Sequence, residues 1–177
     1  INEQIENGDI IVADGGDFVA TASYILQPRS FIGWLDPGVF GTLGIGAGFT
    51  IGSKLTYPDS IIWSIYGDGA FGYSLIEFDT FIRHNIPVIA IIGNDASWTQ
   101  IARDQVDILA SDVGTKLAPV DYHKAVEALG GVGYFIDNKD QIEDVLNKAK
   151  DSAKKGKSVL INVLIGKTDF RKGSLSM

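Results

Sequence analysis

The sequence contains no cysteine. That removes disulfides, thiolate catalysis and zinc–thiolate sites together, and it is compatible with any redox compartment. Positive charge is scarce as well: 15 Lys and Arg stand against 22 Asp and Glu, a formal net charge of -7. The only basic clustering is Lys148, Lys150, Lys154, Lys155 and Lys157, on or just after a predicted helix, and it reads as a solvated helix face. A nucleic-acid partner is disfavoured on that ground. Long apolar runs are missing too. Asp68 closely follows the run Ile61 to Tyr66, and the run Pro87 to Gly93 ends at Asn94, so nothing approaches the ~18 residues that span a bilayer. Only two histidines occur, and His84 and His123 read as surface or capping residues rather than acid–base groups.

The start of the chain, Ile1-Asn2-Glu3, has neither an initiator Met nor a basic stretch followed by an apolar one. The expectation is a piece of a longer protein, whose other segments carry any targeting or anchoring information.

What is present is enough for one filled core. A chain of 177 residues, 45% hydrophobic and 21% charged, can offset the entropy of ordering, and its length suits a single domain over residues 1–177. Short apolar runs of consecutive residues suit strands buried on both faces: Asp9 to Ala13, Phe31 to Leu35, Ile61 to Tyr66, Pro87 to Gly93, Gly133 to Ile136 and Ser158 to Leu164. Between them lie helix-like segments at Phe18 to Leu26, Leu43 to Leu55, Ser74 to His84, Thr99 to Leu109, Asp121 to Leu129 and Lys139 to Lys155. The alternation predicts an α/β fold, a doubly wound, mostly parallel six-stranded sheet with helices on both faces. Ligands in such sheets bind beyond the carboxyl ends of the strands, which directs attention to the loops after Ala13, Tyr66 and Gly93. The tail from Gly166 to Met177 is polar and irregular, a closing flap or a frayed end.

Two of those loops carry acids among glycines. Gly67-Asp68-Gly69-Ala70 follows the third strand, and Gly93-Asn94-Asp95-Ala96-Ser97 follows the fourth, one helix later. If the strands are neighbours, Asp68 and Asp95 meet at one edge. Glycines on both sides of Asp68 let backbone N–H groups approach an anion, yet the carboxylate repels a naked phosphate. A hard divalent cation between them resolves the conflict, because Mg²⁺ takes oxygens from one or two carboxylates and completes its shell with phosphate and water. The alternative for Gly67 to Gly69 is an ordinary strand-to-helix turn with Asp68 at the helix start. The first loop, Asp14-Gly15-Gly16-Asp17-Phe18, opens a helix whose N–H groups suit the far end of a diphosphate; an unliganded turn capped by Asp17 is the alternative.

This layout resembles the signature of the thiamine-diphosphate (ThDP) enzymes, Gly-Asp-Gly followed one strand–helix unit later by Asn-Asn. The resemblance implies that Asp68 and Asp95 are Mg²⁺ ligands, with the backbone carbonyl of Ser97 as the third, and that Gly16, Asp17, Gly67, Gly69 and Ala70 surround the diphosphate. Asp95 stands where the family has Asn. It keeps an oxygen ligand and adds a charge that attracts Mg²⁺ but repels the diphosphate by about 4 kcal/mol at ~4 Å and an effective dielectric near 20. Gly38-Val39-Phe40-Gly41-Thr42-Leu43-Gly44-Ile45-Gly46 resembles the family's ring-cradling segment. By resemblance, Leu43 wedges the cofactor into its bent form and the Gly41 carbonyl meets its 4′-amino group. Close helix packing through Gly44, Gly46, Gly48 and Gly52 is the alternative; the early glycines can serve the ligand while Gly48 and Gly52 serve packing or a dimer contact. Trp98 falls near the thiazolium and substrate, or is a plain core tryptophan.

Within the family, Ser74-Leu75-Ile76-Glu77-Phe78, Trp98-Thr99-Gln100-Ile101 and Thr168-Asp169-Phe170-Arg171 look most like the acetolactate-synthase-like 2-hydroxyacyl-CoA lyase branch. That branch implies cleavage of a 2-hydroxyacyl-CoA to an aldehyde and formyl-CoA, with ThDP as electron sink. It also implies a catalytic glutamate supplied by the pyrimidine-binding domain of a second subunit. No counterpart stands in this chain, so the isolated chain is expected to be inactive. A homodimer or homotetramer, and an endoplasmic-reticulum anchor outside these residues, complete what the resemblance implies. The rivals are an acetolactate synthase-type carboligase, a naturally split decarboxylase, and a non-catalytic nucleotide-binding module. The last lacks support, because no Gly-x-Gly-x-x-Gly follows the first strand.

Overall fold

The computed structural model describes residues 1–167, 170 and 171. Six strands form: β1 (Ile10–Ala13), β2 (Trp34–Leu35), β3 (Ile62–Gly67), β4 (Ile89–Asn94), β5 (Val132–Ile136) and β6 (Val159–Leu164). They lie in the order β2-β1-β3-β4-β6-β5, and every pairing in the sheet is parallel. Parallel neighbours require crossovers, and helices supply them: α1 (Asp17–Ile25), α2 (Gly46–Thr56), α3 (Asp68–Phe71), α4 (Glu77–Arg83), α5 (Thr99–Leu109), α6 (Tyr122–Ala128) and α7 (Ile142–Lys154).

Alternate side chains of each central strand enter opposite layers. Ile65 and Ile91 join Val19 of α1 and Val145, Leu146 and Ala149 of α7 in one core. Tyr66 and Ile92 join Ala47, Phe71, Phe78, Phe81 and Val126 in the other, beneath α2, α3, α4 and α6. β3 and β4 are buried along their whole length, which is why they read as unbroken apolar runs.

Three boundaries differ from expectation. β2 keeps only two residues, because Phe31 stands fully exposed at the sheet's edge instead of joining the strand. The helix expected from Leu43 starts at Gly46; Gly44 adopts φ +85°, which a right-handed helix excludes. The helix expected from Ser74 starts at Glu77 as α4, and a separate single turn, α3, lies ahead of it in the first acid loop. Lys150 departs from the solvated face assigned to its cluster. It is buried, and its Nζ donates to Glu6 Oε1 at 2.5 Å and to the Gln4 carbonyl at 2.8 Å, tying α7 to the start of the chain. Lys148 keeps the expected exposed position, paired with Asp144 on its own helix.

The sheet order sets up the site. The chain leaves β1 for β2 on one side and returns to β3 on the other, so the ends of β1 and β3 flank a topological switch point.

Candidate functional site

Register places the paired acids together. Gly67 of β3 lies opposite Gly93 of β4, so Asp68 and Asp95 leave adjacent strands at the same sheet edge. Both line a cavity of about 220 Å³, together with Gly16, Asp17, Gly67, Gly69, Ala70, Ser97 and Trp98. Gly93, Thr99 and Ile165 to Lys167 also line it.

Asp68 is 3% exposed. Its Oδ1 accepts from the Gly69 N–H at 2.8 Å and its Oδ2 from the Ser97 N–H at 3.3 Å, while the Tyr122 hydroxyl of α6 donates to its main-chain carbonyl at 3.4 Å. Burial pushes its carboxyl above the ordinary value; the Gly69 N–H pulls it back, and the nearby Asp95 charge pushes it up again. A buried carboxylate with a second acid beside it in one cavity calls for a cation. Among the described residues no cluster of three or more His, Asp or Glu side chains forms, so the donor set is two carboxylates with room for backbone, phosphate and water oxygens. Such an oxygen-only set suits Mg²⁺.

The second acid loop is built from both sides. Asn94 is buried; its amide donates to the Val120 carbonyl at 3.1 Å and to Asn162 Oδ1 at 3.2 Å, and its Oδ1 accepts from Ala96 N–H at 3.3 Å. The first residue of the Asn-Asp pair thus fastens the loop, and the second faces the cavity. Thr99 holds the Asp95 carboxylate by an O–H bond one helical turn on. An antiparallel bridge between Ser97 and Lys116 straps the loop from behind, with Trp98 N–H on the Thr115 carbonyl at 2.8 Å and Leu117 N–H on the Ala96 carbonyl at 2.9 Å. Ala96 takes φ +53° within this strap, a strained value for a residue with a Cβ.

The glycine loops after β1 and β3 close on one another. Gly67 N–H donates to the Gly15 carbonyl at 2.8 Å, and a Cβ on Gly16, at φ +113°, would lie 3.1 Å from Gly67 Cα. Glycine at 16 satisfies both the dihedral and the approach. The Asp17 carboxylate does not cap α1; it takes the guanidiniums of Arg103 at 2.7 Å and Arg171 at 3.7 Å.

Gly41 and Leu43 are not among the cavity's walls. Gly41 is exposed at φ +55°, after a short 3₁₀ turn at Gly38–Phe40, and the Leu43 side chain rests on Gly15. Close packing holds for Gly44, ahead of α2, and for Gly46 at its start, but within this chain a Cβ at Gly48 or Gly52 would meet nothing within 4 Å. His123 stacks on Phe135 and His84 lies beside Arg83, both away from the cavity walls. Thr168 and Asp169, and the tail residues 172–177, lie outside the described residues. From sequence alone, Asp14 and Thr99 have no role of their own within the segments that contain them, and nothing marks Arg103 or the 112–117 strap. Thr99, one turn beyond Asp95, was the readable one.

A parallel, doubly wound sheet with glycine loops and two carboxylates at its switch point defines a domain for a metal-bound phosphoryl ligand. Residues 14–163 match the family described as thiamine pyrophosphate enzyme, C-terminal TPP binding domain. The chain belongs to that family, and thiamine diphosphate is its cofactor, with Mg²⁺ conventionally associated with it. It is 56% identical over 179 residues to 2-hydroxyacyl-CoA lyase 2 of Mus musculus and 54% identical to that of Homo sapiens, each match covering 100% of this chain and 28% of the relative. It is 34% identical over 161 residues to the acetolactate synthase large subunit IlvG of Mycobacterium tuberculosis, covering 90% of this chain and 29% of that protein. The chain therefore spans less than a third of the length of these curated relatives. Among the described residues no helix is long and apolar enough to cross a membrane.

Proposed function

We propose that this chain is the diphosphate-binding part of a 2-hydroxyacyl-CoA lyase, which cleaves the carbon–carbon bond beside the thioester and releases an aldehyde and formyl-CoA. The convergence of Asp68 and Asp95 on one glycine-walled cavity carries the cofactor half of this reading. The full-length match of the chain to 2-hydroxyacyl-CoA lyase 2 supports the substrate half.

In this reading Asp68, Asp95 and the Ser97 carbonyl hold Mg²⁺. The N–H groups of Gly16, Asp17 and Ala70 meet the diphosphate, and Gly67 and Gly69 allow its close approach. Gly41 and Leu43 face the rings, with Trp98 at the cavity's edge. When bound, ThDP supplies the electron sink for carbon–carbon cleavage. The chain's own residues would bind and orient it, with the buried Asp68 carboxylate as one of the groups that would hold the metal.

The proton-transfer glutamate comes from the pyrimidine-binding domain of a second subunit, in a homodimer or homotetramer, and this chain alone turns over nothing. Val39 and Phe40 stand 96% and 88% exposed beside Gly41, which supports a covering partner. Burying each such side chain is worth about 1.5–3 kcal/mol. A membrane anchor outside the 177 residues belongs to the same lyase reading.

The test is product analysis with the complete protein supplied with Mg²⁺ and ThDP. Formyl-CoA and an aldehyde from a 2-hydroxyacyl-CoA are expected; acetolactate from pyruvate, with no acyl-CoA cleavage, would replace the lyase by a carboligase. A Mg²⁺-independent ThDP titration would sink the metal site itself.

A further inference from the structure

Asp14 takes no part in the metal and diphosphate contacts assigned above, yet it is a buried carboxylate at the end of β1, 3% exposed. Its partners lie 30 and 32 residues further along the chain. Gly44 N–H meets Oδ1 at 3.0 Å and Oδ2 at 3.1 Å, and Gly46 N–H meets Oδ2 at 2.7 Å. Burial pushes the carboxyl up, and the N–H groups of Gly46 and Gly44 pull it back.

The surroundings leave this contact little freedom. A Cβ on Gly46 would lie 2.6 Å from Tyr66 Cε1 and 2.8 Å from Asp14 Oδ2, so the backbone is pressed between ring and carboxylate. A Cβ on Gly44 would lie 3.0 Å from Tyr73 Cβ. Behind the ring, Thr50 of α2 donates to Ser64 at 2.9 Å, and Ser64 donates to the Tyr66 hydroxyl at 2.7 Å. In front, the place of a Gly15 Cβ is only 2.1 Å from Leu43 Cδ2, while the Gly15 carbonyl binds Gly67 N–H. Contacts thus run without a gap from Gly67 through Gly15 to Leu43, with Asp14 clamping the turn that follows.

We propose that Asp14 is a positioning residue, whose carboxylate locks the Leu43–Gly46 turn onto the diphosphate loop so that the segments holding the two ends of the cofactor move as one body. This rests on the reading that Gly41 and Leu43 meet the cofactor's rings. A carboxylate is required because both oxygens accept. Asparagine with its NH₂ in the place of Oδ1 would oppose the Gly44 N–H and leave one oxygen to hold both turn amides; in the place of Oδ2 it would release Gly46.

The experiment compares the complete wild-type enzyme with Asp14→Asn, Leu43→Ala and the double variant. Calorimetry reads Mg²⁺·ThDP affinity, and deuterium exchange at the C2 position of bound ThDP reads how the rings are held. Asp14→Asn should change affinity less than about tenfold, since the diphosphate contacts are intact, and slow both C2 exchange and kcat at least tenfold with KM little altered. The double variant should be no slower than the worse single one, because Asp14 acts through Leu43. Normal C2 exchange in Asp14→Asn, or additive losses in the double variant, would overturn the proposal while leaving the cofactor site standing. Failure of the wild type to bind Mg²⁺·ThDP would overturn the functional reading and this inference with it. Amide exchange in cofactor-free wild type decides the anchoring even if Asp14→Asn does not fold: slow exchange at Gly44 and Gly46 supports it, and fast exchange there overturns it.

Discussion

Arg103 of α5 donates from Nη2 to Asp17 Oδ1 at 2.7 Å, fastening α5 to the first turn of α1 where both helices begin at the cavity. Both side chains are largely buried, at 18% and 12% exposure. The ion pair explains why an acid can stand beside a diphosphate site: its charge is already matched. Arg103→Met leaves Asp17 with Arg171 at 3.7 Å. Breaking a buried pair costs about 3 kcal/mol, an upper figure here because Arg171 stays. Denaturant unfolding should show the loss, and Asp17→Asn added to Arg103→Met should recover part of it by removing the stranded charge. An unchanged unfolding midpoint would take the pair out of the stability account.

With Asp68 and Asp95 as the proposed metal ligands, cofactor binding should depend on pH. Burial, then the Asp95 charge working against the Gly69 N–H bond, hold the Asp68 carboxyl above its ordinary value of 3.8. Mg²⁺ needs the ionised form, so affinity for Mg²⁺·ThDP should fall on acidification through that raised value, before an ordinary carboxylate protonates. The cofactor-free protein shows the opposite sign. Its native state binds this proton more tightly than the unfolded chain does. Ionised Asp68 therefore costs stability above the raised value, and acidification through that value removes the cost; below 3.8 both states are protonated and the contribution is flat. Asp68→Ala should abolish Mg²⁺-dependent binding with the fold kept. Asp95→Asn should hold neutral-pH affinity within about tenfold, or 1.4 kcal/mol, and move the acid limb to lower pH. Calorimetric titrations across a pH series check all of this, and an acid limb unmoved by Asp95→Asn would mean that the carboxylates do not sense each other.

Glycines in this chain differ in what they leave room for, and stability should separate them. A Cβ on Gly93 would fall 2.3 Å from Phe18 Cγ and 2.6 Å from Phe18 Cβ. Gly93→Ala should therefore destabilise by about 1–3 kcal/mol through overpacking. Gly48, inside α2, has nothing within 4 Å of its Cβ position, so Gly48→Ala should stabilise by about 0.5–1 kcal/mol from helix propensity. Equal effects in chemical denaturation would contradict the packing at Gly93.

The parts legible in sequence were those written locally. Consecutive apolar residues in β3 and β4 announce strands buried on both faces, and Gly67 to Gly69 with Asn94-Asp95 mark the loops that follow them. What escaped was long-range or shared. Asp14 looks like any turn acid until its partners, 30 residues on, are known. Lys150 belongs to a run of lysines, and only the return of Glu6 to α7 distinguishes it from Lys148. Gly44 looked helical because a left-handed turn and a helix start share the same small residues. The place of β6 between β4 and β5 also lies beyond periodicity, since it depends on which edges the helices leave open.

Trp98 offers a direct optical reading of the cavity. Its ring lies flat on Gly69, with Cη2 and Cζ3 each 2.7 Å from the place of a Gly69 Cβ, and it forms part of the cavity wall beside Asp68. The other two tryptophans are removed from that wall: Trp63 is fully buried with its indole N–H on Asp9 at 3.0 Å, and Trp34 donates to Asp36 at the sheet edge. Addition of ThDP should therefore quench emission only when Mg²⁺ is present, and Trp98→Phe should remove the response while affinity by calorimetry stays within about tenfold. Gly69→Ala should diminish both signal and affinity, because the indole must move to admit the methyl group. A quench that survives in Trp98→Phe would move the cofactor's edge away from this wall, since Trp63 and Trp34 have no other route to it.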